Sequence, residues 1–150
     1  MSAAIRIRQD GDDLLITFER TRRTKIAKLD SDRQMVFGWA NVCVRCSGET
    51  VVDSHDDTIA SEDLESAAYE FNLSFRETGE EHEGDAKGRL IESFFVTPEK
   101  LEKMGLKKTA LPRGWWVGFK IDDPKAWQRV KKGDLRMFSI QGVARREVVS

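Results

Sequence analysis

The stretch Met35-Val-Phe-Gly-Trp-Ala-Asn-Val-Cys-Val44 is apolar at both parities of a two-residue period. Such a run predicts a strand covered on both faces, as in a closed sheet or one flanked by other layers. Gly38 inside it predicts a bulge or a close backbone approach. On its N-terminal side, Ile5-Arg-Ile-Arg8 alternates and Gln9-Asp-Gly-Asp12 is a turn signal. Asp13 to Phe18 then resumes a strand, so the pair predicts an N-terminal hairpin. The basic stretch Arg20-Thr-Arg-Arg-Thr-Lys25 reads as a solvated loop.

On its C-terminal side, Ser47-Gly48-Glu49 is a turn. Thr50 to Asp53 predicts a strand that ends in Ser54-His-Asp-Asp57. The first helix is expected from Glu62 to about Glu77, with Ser61 as its N-cap and Gly79 as its stop. Leu64, Ala67, Ala68, Phe71 and Phe75 fall on one face of it. His82 then sits just past that helix, in the polar run Glu80 to Lys87. Arg89 to Val96 reads as a strand. Thr97-Pro98 caps a short helix that stops at Gly105. Gly114 to Ile121 is another strand, and Asp123-Pro124 repeats the cap-then-proline device. Ala126, Trp127 and Val130 form the buried stripe of the helix that follows. Leu135 to Val148 supplies the last strand or strands. The expected class is α+β, mainly β, with about three helices between strands.

The 150 residues are 34% charged and 39% apolar, with a net charge of -1. That balance suits one soluble domain-sized unit. It predicts no field that would draw the chain to nucleic acid or to a membrane surface. No apolar run approaches the roughly 20 residues of a spanning helix. Met1-Ser-Ala-Ala-Ile-Arg6 has no apolar signal core, and two cysteines make no disulfide framework, so a reducing cytoplasm is expected.

Several side chains could carry chemistry. A histidine brought next to a strand serine is the minimum equipment for nucleophilic hydrolysis. His82 and Ser139, in Met137-Phe-Ser-Ile140, are such a pair if the fold joins them. The G-x-S-x-G elbow of the α/β-hydrolases is missing. Cys43-Val-Arg-Cys46 has the spacing of half a zinc site, but His55 and His82 do not complete the usual ligand spacing. No cofactor is expected. Trp39, Trp115, Trp116 and Trp127 read as core packing rather than a stacking platform, since no basic array adjoins them.

In order along the chain stand Phe37-Gly-Trp-Ala-Asn41, Val51-Val-Asp-Ser-His-Asp-Asp-Thr-Ile59 and Leu64-Glu-Ser-Ala-Ala-Tyr-Glu-Phe71. They continue with Glu81-His82, Leu90-Ile-Glu-Ser-Phe94, Pro112-Arg-Gly-Trp-Trp-Val-Gly-Phe-Lys-Ile121 and Met137-Phe-Ser-Ile-Gln-Gly142. This ordered set resembles the XkdF-like group of phage prohead serine proteases. The resemblance implies an assemblin-like β-barrel with helices packed around it. Residues 35–150 would form the catalytic domain, and residues 1–34 would add N-terminal strands to it. It further implies cleavage of scaffold and major capsid protein precursors inside an assembling procapsid in the host cytoplasm, and self-association into a homo-oligomer. The family's serine falls on Ser139 and its histidine on His82.

A third group should orient the imidazole. Glu92 is the first candidate, on a strand where Leu90, Glu92 and Phe94 share one side by alternation. Asp53 and Glu80 are its rivals. Gln141 stands where many relatives have glycine, and no histidine follows Ser139, so the downstream histidine of assemblin has no counterpart. Gln141 and the short stretch that follows Ser139 motivate the alternative, a catalytically weak or inactive assembly module that binds scaffold or capsid protein.

Overall fold

The computed structural model describes residues 3–7, 15–19, 26–52, 57–75, 77–79, 88–132, 137–141 and 144–148. Ten strands form among them: β1 Ala3–Ile7, β2 Leu15–Glu19, β3 Ile26–Asp30, β4 Met35–Val44, β5 Asp57–Ile59, β6 Glu77–Gly79, β7 Gly88–Val96, β8 Arg113–Ile121, β9 Met137–Gln141 and β10 Ala144–Val148. The helices are α1 Ser61–Glu70, α2 Pro98–Lys103 and α3 Pro124–Lys132, and a π-helical turn, Phe71–Phe75, extends α1. The fold is mainly β, as expected.

Seven strands form one sheet in the order β3-β4-β8-β7-β6-β2-β9, and three form another in the order β10-β1-β5. Among the described residues the large sheet has two ends, β3 and β9, so their hydrogen bonding does not close a barrel. The expected N-terminal hairpin does not form either. β1 lies between β10 and β5, and β2 lies between β6 and β9, so neither has an edge left for the other. The turn signal Gln9–Asp12 between them lies outside the described residues. What local sequence could not supply was the partner, because strand pairing depends on distant residues.

Strand β4 confirms the double-sided cover, with Val36, Phe37, Gly38, Ala40 and Cys43 all buried. Gly38 itself stays in register opposite Val117. The register slips at Ala40 and Cys43 against β8, and at Ala27 of β3 opposite Phe37 and Gly38. The close backbone approach is made from the other strand. A Cβ on Gly114 would stand 2.9 Å from the Cα of Val42 and closer still to the Asn41 carbonyl oxygen.

One face of β4, β8 and β7 carries the core. Val36, Trp115, Val117, Phe119, Ile121 and Phe95 pack there against Leu64, Ala67, Ala68 and Phe71 of the α1 region. Ala126, Trp127 and Val130 of α3 complete it, so the α3 stripe is found, and so is the α1 stripe from Leu64 to Phe71; the Phe75 side chain lies outside the described residues. The Phe71 ring meets Trp115 edge-on at 5.4 Å and Phe119 at 6.3 Å. Burying such a ring stabilises the fold by about 1.5–3 kcal/mol. The Trp115 indole donates to Ser93 Oγ at 2.8 Å, so its polar end is satisfied inside the core.

The helix ends separate local signals from context. Thr97 accepts from the Lys100 amide at 3.3 Å and Pro98 starts α2. Asp123 accepts from the Ala126 amide at 2.8 Å ahead of Pro124. Gly105, at φ 82, closes α2 with bonds from its own amide to Glu102 and from Leu106 to Leu101, a Schellman ending. At α1 the expectation needs correction. Ala60 is the N-cap, with no side-chain bond, and Ser61 is already helical. The Ser61 hydroxyl turns to the Cys43 thiol instead. Helix α1 also ends earlier than expected, and Glu77–Gly79 form β6. The predicted strand at Thr50 reduces to a bridge between Val44 and Thr50, and β5 begins only at Asp57.

Candidate functional site

Ser139 lies in β9, where an apolar strand was expected. Its direct partner is Thr17 of β2, and Thr17 is in turn paired with Gly79 of β6. The three residues make one row across three strands. Neighbouring strands stand about 4.8 Å apart, which puts the Ser139 and Gly79 backbones about 10 Å from one another. His82 is three residues beyond Gly79 in the chain, so it follows a strand rather than the expected helix. His82, Glu80 and Asp53 lie outside the described residues, and Ser139 is described only by its backbone and pairing.

Glu92 lies on β7, between described residues of β4 and β8 on one side and β6 on the other. The ladder between β7 and β8 slips at Ile91, so Leu90 pairs with Phe119 and Glu92 with Gly118. This bulge changes the expected alternation. Leu90 packs on the helix-covered core, while Glu92 and Phe94 are exposed on the other side. Along β7, Glu92 stands four residues from Gly88, the partner of Thr78. That is about 13 Å at strand rise. Because β6 and β7 are antiparallel, the offset runs away from the end where Gly79 leads on to His82.

The Glu92 face has its own order. Trp39, Trp116 and Phe94 form one row across β4, β8 and β7. Phe37, Gly118 and Glu92 form the next. The Trp116 indole donates to Glu92 Oε1 at 2.9 Å, and its ring meets Trp39 edge-on at 5.5 Å. A Cβ on Gly118 would stand 2.7 Å from both Glu92 Cγ and the Phe37 ring, so this glycine lets both side chains fold over it. Trp115 and Trp127 are core residues, as expected, whereas Trp39 and Trp116 are only partly buried. Period-two parity within Gly114-Trp-Trp-Val-Gly118 already separates Trp115 from Trp116 and puts Gly118 beside the latter. Thr17 and Gly79 carried no such local signal.

The two cysteines face different surroundings. Cys43 is buried and its thiol donates to the Arg113 carbonyl at 3.4 Å, while Cys46 is exposed. Burial pushes the Cys43 thiol above its ordinary pKa, against smaller lowering contributions from the Ser61 hydroxyl and the Arg113 charge. Among the described residues no three histidine, cysteine or acidic side chains gather as a metal cluster, and no helix is long and apolar enough to cross a membrane.

Comparison with known proteins supplies the family. The model described as "Putative phage serine protease XkdF" matches residues 23–148. The chain belongs to this family. It is 27% identical over 120 residues to "Uncharacterized protein YqbD" of Bacillus subtilis strain 168, a match covering 79% of this chain and 34% of that protein. It is also 27% identical over 94 residues to the "Phage-like element PBSX protein XkdF" of the same organism, covering 63% of this chain and 33% of that protein. The chain thus spans about a third of the length of these relatives. No solved structure matches it significantly. The XkdF family match agrees with the ordered motifs, and it includes both Ser139 and His82.

Proposed function

We propose that this XkdF-family chain is a serine endopeptidase of phage head maturation, with Ser139 as nucleophile and His82 as its base. The observation that carries this is the row Ser139–Thr17–Gly79, which starts the His82 segment two strands from the serine. Three residues of chain reach at most about 10 Å, comparable to the gap to be crossed. His82 takes the proton of Ser139 Oγ as the oxygen attacks a peptide carbonyl. It then returns that proton to the leaving amine, and water repeats the sequence on the acyl-enzyme. Backbone N–H groups beside Ser139 would stabilise the oxyanion.

A carboxylate should hold the imidazole. Glu80, next to Gly79, suits that role better than Glu92, which the register of β6 and β7 sets apart, and Asp53 stays a rival. Strand β9 comes within 8 Å of β4, and this favours an assemblin-like barrel completed by side-chain packing rather than by a closed ladder. The substrates are scaffold and major capsid precursors in the assembling procapsid, within the host cytoplasm, and the enzyme works as a homo-oligomer. Co-expression with the neighbouring scaffold and capsid proteins tests this. Wild type should give shortened products, and Ser139→Ala and His82→Ala should leave full-length precursors. The same band pattern from Ser139→Ala as from wild type would overturn the assignment and favour a binding module.

A further inference from the structure

The rows Trp39–Trp116–Phe94 and Phe37–Gly118–Glu92 place one carboxylate at the corner of a patch of four aromatic rings. Phe94 is 38% exposed, and Glu92 is exposed as well. Glu92 Oε1 is held by the Trp116 indole at 2.9 Å. Among the described residues no lysine or arginine pairs with Glu92. The nearby Lys100 has other polar partners, donating to the Phe95 carbonyl and the Tyr69 hydroxyl and standing 3.9 Å from Glu65. The Lys28 ammonium stands 5.2 Å from the Phe37 centroid, and the Lys100 ammonium stands 5.4 Å from that of Phe94. Two ammonium groups thus stand against rings at the edges of this face, and among the described residues none reaches its carboxylate.

We propose that Glu92, with Trp116, Trp39 and Phe94, forms a subsite for a lysine or arginine side chain of a bound peptide. Ring faces attract a cation, and a fixed carboxylate beside them adds charge and direction. The indole bond engages Oε1 and restricts the Glu92 rotamer. Strand β9, which carries Ser139, runs within 8 Å of β4, the strand of Phe37 and Trp39. Identifying the peptide as substrate rests on the protease assignment above; the cation preference does not.

The test uses the Ser139→Ala chain, so that nothing is cleaved. Titrate it with an acetylated, amidated pentapeptide bearing one central lysine among alanines, and with its norleucine twin. Follow the indole N–H resonances of Trp39 and Trp116. The lysine peptide should move both and bind about tenfold tighter than the twin, a difference of about 1.4 kcal/mol. Glu92→Gln keeps an oxygen for the Trp116 indole, and should bring the two peptides to equal affinity. Trp39→Leu, which leaves Glu92 in place, should weaken the lysine peptide alone. Equal binding of both peptides, no response to either, or an unchanged preference in Glu92→Gln would overturn the subsite. Precursor cleavage surviving Ser139→Ala would instead remove the protease assignment and leave this result standing.

Discussion

Ser139 of β9 and Thr17 of β2 are direct antiparallel partners, and this pairing ties the candidate nucleophile to a strand 122 residues earlier in the chain. The same ladder pairs Glu19 with Met137. Directly opposed residues have Cα atoms about 4.5–5.5 Å apart, within the range a disulfide spans. Glu19→Cys with Met137→Cys should therefore crosslink under mild oxidation, seen as a mobility shift on a non-reducing gel. Glu19→Cys with Phe138→Cys, one residue out of register, should crosslink far less. The reverse order would place Ser139 opposite another residue.

Gly114 is needed for its lack of a side chain. Its Cβ would press on the Asn41 carbonyl and on the Val42 Cα, both backbone atoms of β4. Gly114→Ala should destabilise the fold by about 1–3 kcal/mol, as overpacking does. Urea denaturation would show a lower midpoint. An unchanged midpoint would mean that β4 and β8 separate at little cost.

Ser93 is predicted to matter through Trp115. Its hydroxyl accepts from the fully buried indole at 2.8 Å. Ser93→Ala leaves that donor without a partner, at a cost of about 1–3 kcal/mol. Ser93→Thr retains the hydroxyl and should recover most of the loss in the same melt.

Arg89 and Asp122 should give a small acid dependence. Arg89 Nε donates to Oδ2 at 2.7 Å and Nη2 to Oδ1 at 3.0 Å. The bond from Arg89 holds the Asp122 carboxyl below the ordinary carboxylate range. A depressed carboxyl pKa stabilises the fold above the unfolded value, about 3.9, and the gain is lost as pH falls through the folded value. Wild type should thus exceed Asp122→Asn in stability near neutrality, with the gap closing in acid. Both side chains are substantially exposed, so added salt should shrink it as well. A gap unchanged at pH 2 would point to another cause.

Local signals were legible wherever the physics was local. Thr97-Pro98 and Asp123-Pro124 cap helices because side-chain oxygen, amide and proline lie within three residues of each other. The stripes of α1 and α3 were readable from helical periodicity. Ser61 was misread because a serine can serve either as cap or as a partner for another group, and here Cys43, distant in sequence, takes it. The bulge at Ile91 was invisible for the same reason. It exists only relative to β8, yet it turns Glu92 away from the face that Leu90 occupies.

Motif order and short-range geometry, both written along the chain, specify the family, the mainly β class and the caps of α2 and α3, and single out the two residues proposed for catalysis. Only the tertiary structure decided which strands pair, that β1 and β2 part into separate sheets, and that Ser139 shares a row with Gly79. It also decided that Glu92 joins an aromatic face. Register is a property of two strands together, and a slip of one residue reverses every side chain, so no single segment can specify it.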